Sequence, residues 1–275
     1  MKHKWSLIAL SLVLLNYPCA AATLLIPGDF ATINEALAAA MPGDQLRLEA
    51  GRYVEPCLII DKQLRIAGSG VNDTFLVGEY GTAIALVGQG DLTLLNLTVQ
   101  SPHGLKPILT AAGLSCLEMQ SCVIHGNATG IGLYLSGNSR TMIMNSTIVS
   151  NRLGAVLAGS ASAKIIASRI LENVNHGLSV SDTANLVCEN CEFRANSTAV
   201  LNQDESTMSA ANSTFAENDV GVWGQGLSCT EIAQCSFSKN SVAILLEDNN
   251  TMTIHACIFD ENNTDIFANP RLTCP

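Results

Sequence analysis

Apolar residues recur along this chain with a period near 22, far longer than the turn of a helix. From about residue 116 onward, short runs with apolar residues at alternate positions are separated by clusters of Asn, Ser, Asp and Gly, the pattern of strands joined by turns. Seven asparagines mark the beat: Asn127, Asn151, Asn173, Asn196, Asn218, Asn240 and Asn262, spaced by 24, 22, 23, 22, 22 and 22 residues. With each asparagine as position zero, position minus three holds Ile124, Ile148, Ile170, Phe193, Phe215, Phe237 and Phe259, all large and apolar. Position minus five is small throughout: Cys122, Ser146, Ser168, Cys191, Ser213, Cys235 and Cys257. Position minus eight is mostly bulky, as in Met119, Ile143, Ile165 and Ile232.

Steps of two keep side chains on one face of a strand, whereas the odd step from minus eight to minus five requires a bend. Position minus six supplies it with Ser121, Asn145, Ala167, Asn190, Asn212, Gln234 and Ala256. Asparagine tolerates the left-handed backbone of a corner, and its amide can bond the copy one strand spacing away. The two asparagine positions, zero and minus six, are read as turns framing a stacked core. A leucine-rich repeat has a similar period. Leucine is nearly absent from these columns, however, and Gly159-Ser160-Ala161-Ser162-Ala163 and Asp248-Asn249-Asn250-Thr251 are turn material where such a repeat needs a helix. The expected architecture is a β-solenoid with three short strands per coil.

Lys2, His3 and Lys4 precede an apolar run from Trp5 to Leu15, followed by Ala20-Ala21-Ala22, which reads as a signal peptide over 1–22. Eleven apolar residues are too few to span a bilayer, and no other segment is a candidate span. In Phe30 to Met41 the residues Ile33, Ala36, Leu37 and Ala40 share one helical face, and Pro42-Gly43-Asp44 stops the helix. Such a helix suits the lid of a solenoid's first coil.

Gly28-Asp29-Phe30-Ala31-Thr32-Ile33-Asn34-Glu35-Ala36, then Pro42-Gly43-Asp44, Gly51-Arg52-Tyr53-Val54-Glu55 and Leu64-Arg65-Ile66-Ala67-Gly68, resembles the opening of right-handed parallel β-helix proteins of the pectin-lyase-like superfamily. The later coils resemble that superfamily's repeat. The resemblance implies an all-β, right-handed parallel β-helix over 45–275, about ten coils of ~22 residues, behind a strand and capping helix in 23–44.

It also implies where catalysis would show, and the motifs are missing. Gln203-Asp204-Glu205-Ser206 is only faintly similar to a pectinesterase motif. Asn263-Thr264-Asp265 stands at the wrong end for a polygalacturonase, and His176-Gly177 follows Asn175 where such an enzyme has glycine. From Ser121 onward no repeat exceeds about 24 residues, which leaves little loop from which to build a cleft. The stretch from Ser101 to Ser115 is longer, and there His103 and His125 fall in adjacent coils as a weak candidate polar site.

Position plus five reads Gly132, Val156, Leu178, Leu201, Trp223, Leu245 and Phe267, and plus seven includes Tyr134, Gln203, Gln225 and Glu247. An outward stripe of Leu201, Trp223, Leu245 and Phe267 beside Gln203, Gln225 and Glu247 suits sugar stacking with amide hydrogen bonds, or a protein interface.

Charge narrows the partners. Only 14% of residues are charged, and without Lys2 and Lys4 the balance is 12 basic to 24 acidic. Nucleic acid and anionic membranes are poor partners for such a chain, and a polyuronate would need bridging calcium. No other cofactor is expected. Nine of the ten cysteines follow residue 22. Cys116 with Cys122, and Cys229 with Cys235, recur at one coil address and read as corner disulfides of an exported protein, periplasmic or extracellular. Cys188 and Cys191 read as packed thiols or a local bridge, Cys257 with Cys274 as a tie for the tail, and Cys57 as the odd one out. Sequons at Asn127, Asn145, Asn196 and Asn212 fall on structural columns and read as turn chemistry. The expected function is binding of a polysaccharide or cell-surface glycan, with a disguised lyase or hydrolase and a structural or adhesive protein as alternatives.

Overall fold

The computed structural model describes residues 21–102, 105–126 and 128–269. Most of the proposed signal peptide, together with His103, Asn127 and Cys274, lies outside them. The described chain winds into a right-handed parallel β-helix whose strands form three parallel sheets. The first sheet has 11 strands and the other two have 10 each. Each coil contributes one strand to each sheet, for example Ser162–Ile166, Arg169–Leu171 and His176–Val180.

Neighbouring coils pair without slip, so the sequence columns become physical stacks. Ile143 lies against Ile165 and Ile165 against Cys188, while Ile148 lies against Ile170 and Ile170 against Phe193. The rings of Phe193, Phe215 and Phe237 stack at 4.7 Å, and Phe237 and Phe259 at 5.2 Å, all within 10° of parallel. Strand spacing sets that distance, and it forces ring on ring.

At position zero Asn151, Asn173, Asn196, Asn218 and Asn240 point inward and are buried, so the turn reading of this column is corrected. Asn218 Nδ2 donates to the Phe193 carbonyl at 3.1 Å and to Asn240 Oδ1 at 3.0 Å, and the Asn218 backbone N–H donates to the same Oδ1 at 3.0 Å. Asn173, Asn196 and Asn240 repeat this arrangement. The left-handed residue of that corner is the one before, Ser150, Glu172, Ala195, Glu217, Lys239 or Glu261, with φ between 51 and 57°. Position minus six is left-handed as expected, from Asn96 and Ser121 through Ala256. A third corner holds Gly137, Gly159, Asp182, Asp204, Gly226 and Asp248 at positive φ. Left-handed Ala, Glu and Lys each cost roughly 1–2 kcal/mol, a cost tolerated because ladders on both sides fix the corner.

One consequence of the buried amides is a column of small residues. Gly132, Gly154, Gly177, Ala199, Gly221 and Ala243 lie beneath the asparagine ladder and the Ile/Phe stack. A Cβ on Gly221 would stand 2.4 Å from the Ala243 carbonyl oxygen and 3.1 Å from Phe237 Cδ1.

The helix Ile33–Ala39 closes the first coil with Ile33, Ala36 and Leu37 buried in the common core. Thr32 and Glu35 form a capping box. Two charges from the coil beneath hold its ends. Glu55 accepts from the Ile33 backbone N–H at 2.6 Å and from Asn34 Nδ2 at 2.7 Å, while Lys62 Nζ donates to the Leu37 and Ala40 carbonyls. Each charge sits at the helix end it complements. The last described coil is more open, with Ile258 67% and Ile266 48% exposed.

The expected disulfides are corrected. All eight cysteines among the described residues are free thiols. Cys116 opens the strand Cys116–Gln120 and Cys122 follows its corner, as Cys229 opens Cys229–Ala233 and Cys235 follows. The four extended steps of the strand alone span roughly 13 Å, with the second cysteine two residues further past the corner, and a disulfide allows only ~7 Å between Cα atoms. Cys122, Cys191 and Cys235 instead stand in the small column with the serines. There each Ser Oγ accepts from the backbone N–H one coil back, as Ser146 does from Cys122 at 3.0 Å. Burial pushes the Cys122 and Cys235 thiols up to about 11. These are packing groups, not nucleophiles.

The two asparagine columns therefore differ in consequence. Asn218→Ala removes the acceptor of the Asn196 backbone N–H and Nδ2 and the donor to the Phe193 carbonyl and Asn240 Oδ1, and should cost about 3 kcal/mol in urea unfolding. Asn212→Ala, at a left-handed corner where Ala already stands in other coils, should cost less than about 1 kcal/mol. Equal losses would contradict the inward assignment.

Candidate functional site

The outer face of the first sheet carries an open groove of about 400 Å³. It crosses the strands Asp91–Leu95, Cys116–Gln120, Arg140–Met144, Ser162–Ile166 and Asn185–Glu189. Alternation places the first and third residues of each strand outward. Zero-slip pairing then aligns one column of Asp91, Cys116, Arg140, Ser162 and Asn185, and another of Thr93, Glu118, Met142, Lys164 and Val187. Among the described residues Asp91, Glu118 and Arg140 have no side-chain hydrogen bond or ion pair. Lys164 Nζ meets Glu189 at 2.8 Å with both side chains well exposed, a pair worth at most about 1 kcal/mol. A second hollow, lined by Asn138, Arg140, Ser160 and Ser162, adjoins the first across the Arg140 column. Sequence reasoning missed this site. Positions minus eleven and minus nine, read as columns, hold all of its charges from Glu118 onward.

The stripe proposed on the third sheet runs through Leu201, Trp223, Leu245 and Phe267, which are consecutive partners. Its earlier members need correction. Leu178 is fully buried in the inward column, Gly132 is buried, and the outward places belong to Tyr134 and Ser179. The extra residues of the coils beginning at Asn127 and Asn173 fall in the corner after the asparagine and shift the count. Leu201 is only 7% exposed and Phe267 50%. Glu247 Oε2 accepts from Trp223 Nε1 at 3.2 Å and from Gln225 Nε2 at 2.9 Å, so these polar groups are tied together. Gln203 lies just beyond the strand Thr198–Asn202, at the next corner.

His125 ends the strand Val123–His125 on the second sheet and is exposed beside Gln100 and Val149. His103 lies outside the described residues, so the pair is not assembled here. On that sheet Arg194 makes a two-pronged contact with Glu217. No group of three or more His, Cys, Asp or Glu among the described residues could hold a metal ion. No helix among them is long and apolar enough to cross a membrane.

Comparison with known proteins agrees with this geometry. The family model described as "Right handed beta helix region" matches residues 82–226, more than half of the chain. The chain belongs to the right-handed β-helix family. Among solved structures it is similar to the Dettilon tailspike protein gp208 (TM-score 0.61, 10% identity, 86% of this chain and 61% of that one). It is also similar to the Agl-KA catalytic domain (0.55, 12%, 92% and 69%) and to ORF18 of Geobacillus virus E2 (0.51, 11%, 90% and 61%). This β-helix thus spans about three fifths of the tailspike and of the viral ORF18 chain. No curated protein matches in sequence.

One histidine on the third sheet tests the packing of this β-helix. His176 opens its strand, and its Nδ1 is buried without a partner. Burial first, and Arg152 second, hold its pKa below the ordinary 6.5. The unfolded chain then binds the proton more readily than the folded one. Stability from neutral His176 is complete above pH 6.5 and is lost as pH falls from there through the depressed folded value. In His176→Gln the urea midpoint should fall less steeply below pH 6.5; parallel profiles would contradict the burial.

Proposed function

We propose that this β-helix binds an extended glycan along the outer face of its first sheet, outside the cytosol, without cleaving it. The observation that carries the reading is the groove, in which unpartnered Asp91, Glu118 and Arg140 stand beside Ser162 and Asn185 and above Met142 and Val187. Oligosaccharides present hydroxyls at their edges and C–H groups on their faces, and this lining answers both. The walls are strand surfaces rather than loops, so the groove is long, shallow and open. Such a shape fits a chain laid across successive strands better than a small molecule enclosed on all sides.

Retention on a polysaccharide panel, scored together with release of reducing or unsaturated ends, tests it. The expected result is retention without release, weakened about tenfold in Arg140→Gln, a change of ~1.4 kcal/mol. Release above a mock preparation would overturn the non-cleaving reading, and unchanged affinity in Arg140→Gln would overturn the groove.

A second reading uses the third sheet, where Trp223, Leu245 and half-exposed Phe267 face outward beside Gln203, Gln225 and Glu247. This stripe suits sugar stacking or self-association. Trp223→Ala should lower glycan affinity at constant sedimentation in the first case and change sedimentation in the second. If neither moves, the stripe has no such role.

A further inference from the structure

The charges in the groove are ordered along the solenoid axis. In the first outward column Asp91 and Arg140 are separated by Cys116, and in the second Glu118 and Lys164 are separated by Met142. Both columns therefore place an acid and a base two coils apart, in the same direction, with an uncharged residue between. Two strand spacings are ~9.6 Å. The acids occupy two consecutive coils and the bases the next two, where Lys164 is paired with Glu189, so one end of the groove is negative and the other presents the positive charge of Arg140. Upstream of the acids Arg65, partnered with Thr93 as Thr93 is with Glu118, returns the sign to positive.

Chance pairing on a solvated surface neutralises charges locally, as Arg194 and Glu217 do on the second sheet at 2.9 Å and Lys164 and Glu189 at the edge of the groove at 2.8 Å. Here Asp91, Glu118 and Arg140 stay unpaired although they line one groove. A neutral sugar gains little from charges segregated over that distance. A polyanion meets Asp91 and Glu118, and a polycation meets Arg140. Like charges brought together in this way cost affinity.

Resting on the groove reading above, we propose that the ligand is a zwitterionic glycan, bearing free amines along one stretch of its chain and carboxylates along the next. Its amines lie against Asp91 and Glu118, its carboxylates against Arg140, and its apolar ring faces over Met142 and Val187. Arg140 provides the forked donor that a carboxylate accepts in two bonds.

Four soluble oligosaccharides of equal length separate charge pattern from shape: glucosamine residues followed by glucuronate residues (amine and carboxylate), hyaluronan (carboxylate alone), chitosan (amine alone) and chitin (neither). Titration calorimetry at low salt should show the first binding at least tenfold tighter than the others, with the advantage shrinking as salt rises. D91N and E118Q should weaken the zwitterion and chitosan but spare hyaluronan; R140Q should weaken the zwitterion and hyaluronan but spare chitosan. These side chains are outward, and unchanged thermal melts would show that each variant remains folded. Equal affinity for all four would overturn the zwitterion while leaving the groove as a glycan site. Absence of binding by any of them would overturn both, and tightest binding by hyaluronan or chitosan alone would replace the proposal with a simple polyelectrolyte site.

Discussion

Every strand in this molecule depends on the coil above or below it for its backbone hydrogen bonds, and that dependence fixes register. A parallel strand of three residues, such as Ile258–Asp260, has no independent stability. It holds because zero-slip pairing continues around the corner into the next sheet. The buried amide ladder makes slippage costly: moving one coil by a single residue would leave Asn196, Asn218 and their neighbours with unpaired polar groups in the core. Uniform rings, small corners and glycines beneath the ladder all follow from keeping identical residues at identical heights.

Much of this could be read from the sequence because columns survive translation into space. The Ile/Phe column, the small Cys/Ser column and the left-handed minus-six corner all lie where periodicity puts them. Periodicity does not say on which side of a corner an inserted residue falls. For that reason a count from the asparagine puts Leu178 and Gly132 in one column with Leu201 to Phe267, whereas the register pairs Leu201 with Ser179. Side-chain type misled at two places. Asn at position zero looks like a turn residue, yet it serves as an inward ladder one place beyond the left-handed residue. Cysteines at a repeated address look like bridges, yet the strand between them holds each pair apart.

The groove was harder to see, because no residue in it is unusual by itself. Asp91, Arg140 and Glu118 become a site only when stacked in register, and the signal lies in the order of charges down two columns. Conversely the aromatic stripe, conspicuous in sequence, is partly occupied by its own contacts. Glu247 ties both Trp223 and Gln225, and Leu201 is covered. Conspicuous residue types and available chemistry are different properties on a surface made of side-chain ladders.

The helix over the first coil gives the molecule a direction. With Glu55 and Lys62 gripping its two ends, that end of the stack is closed, while growth at the opposite end requires only one more segment of the same length. Gain or loss of whole 22-residue units by recombination would therefore lengthen or shorten the solenoid one rung at a time without disturbing the rungs that remain. In such a lineage the size of the recognised ligand is a quantity inherited in discrete steps.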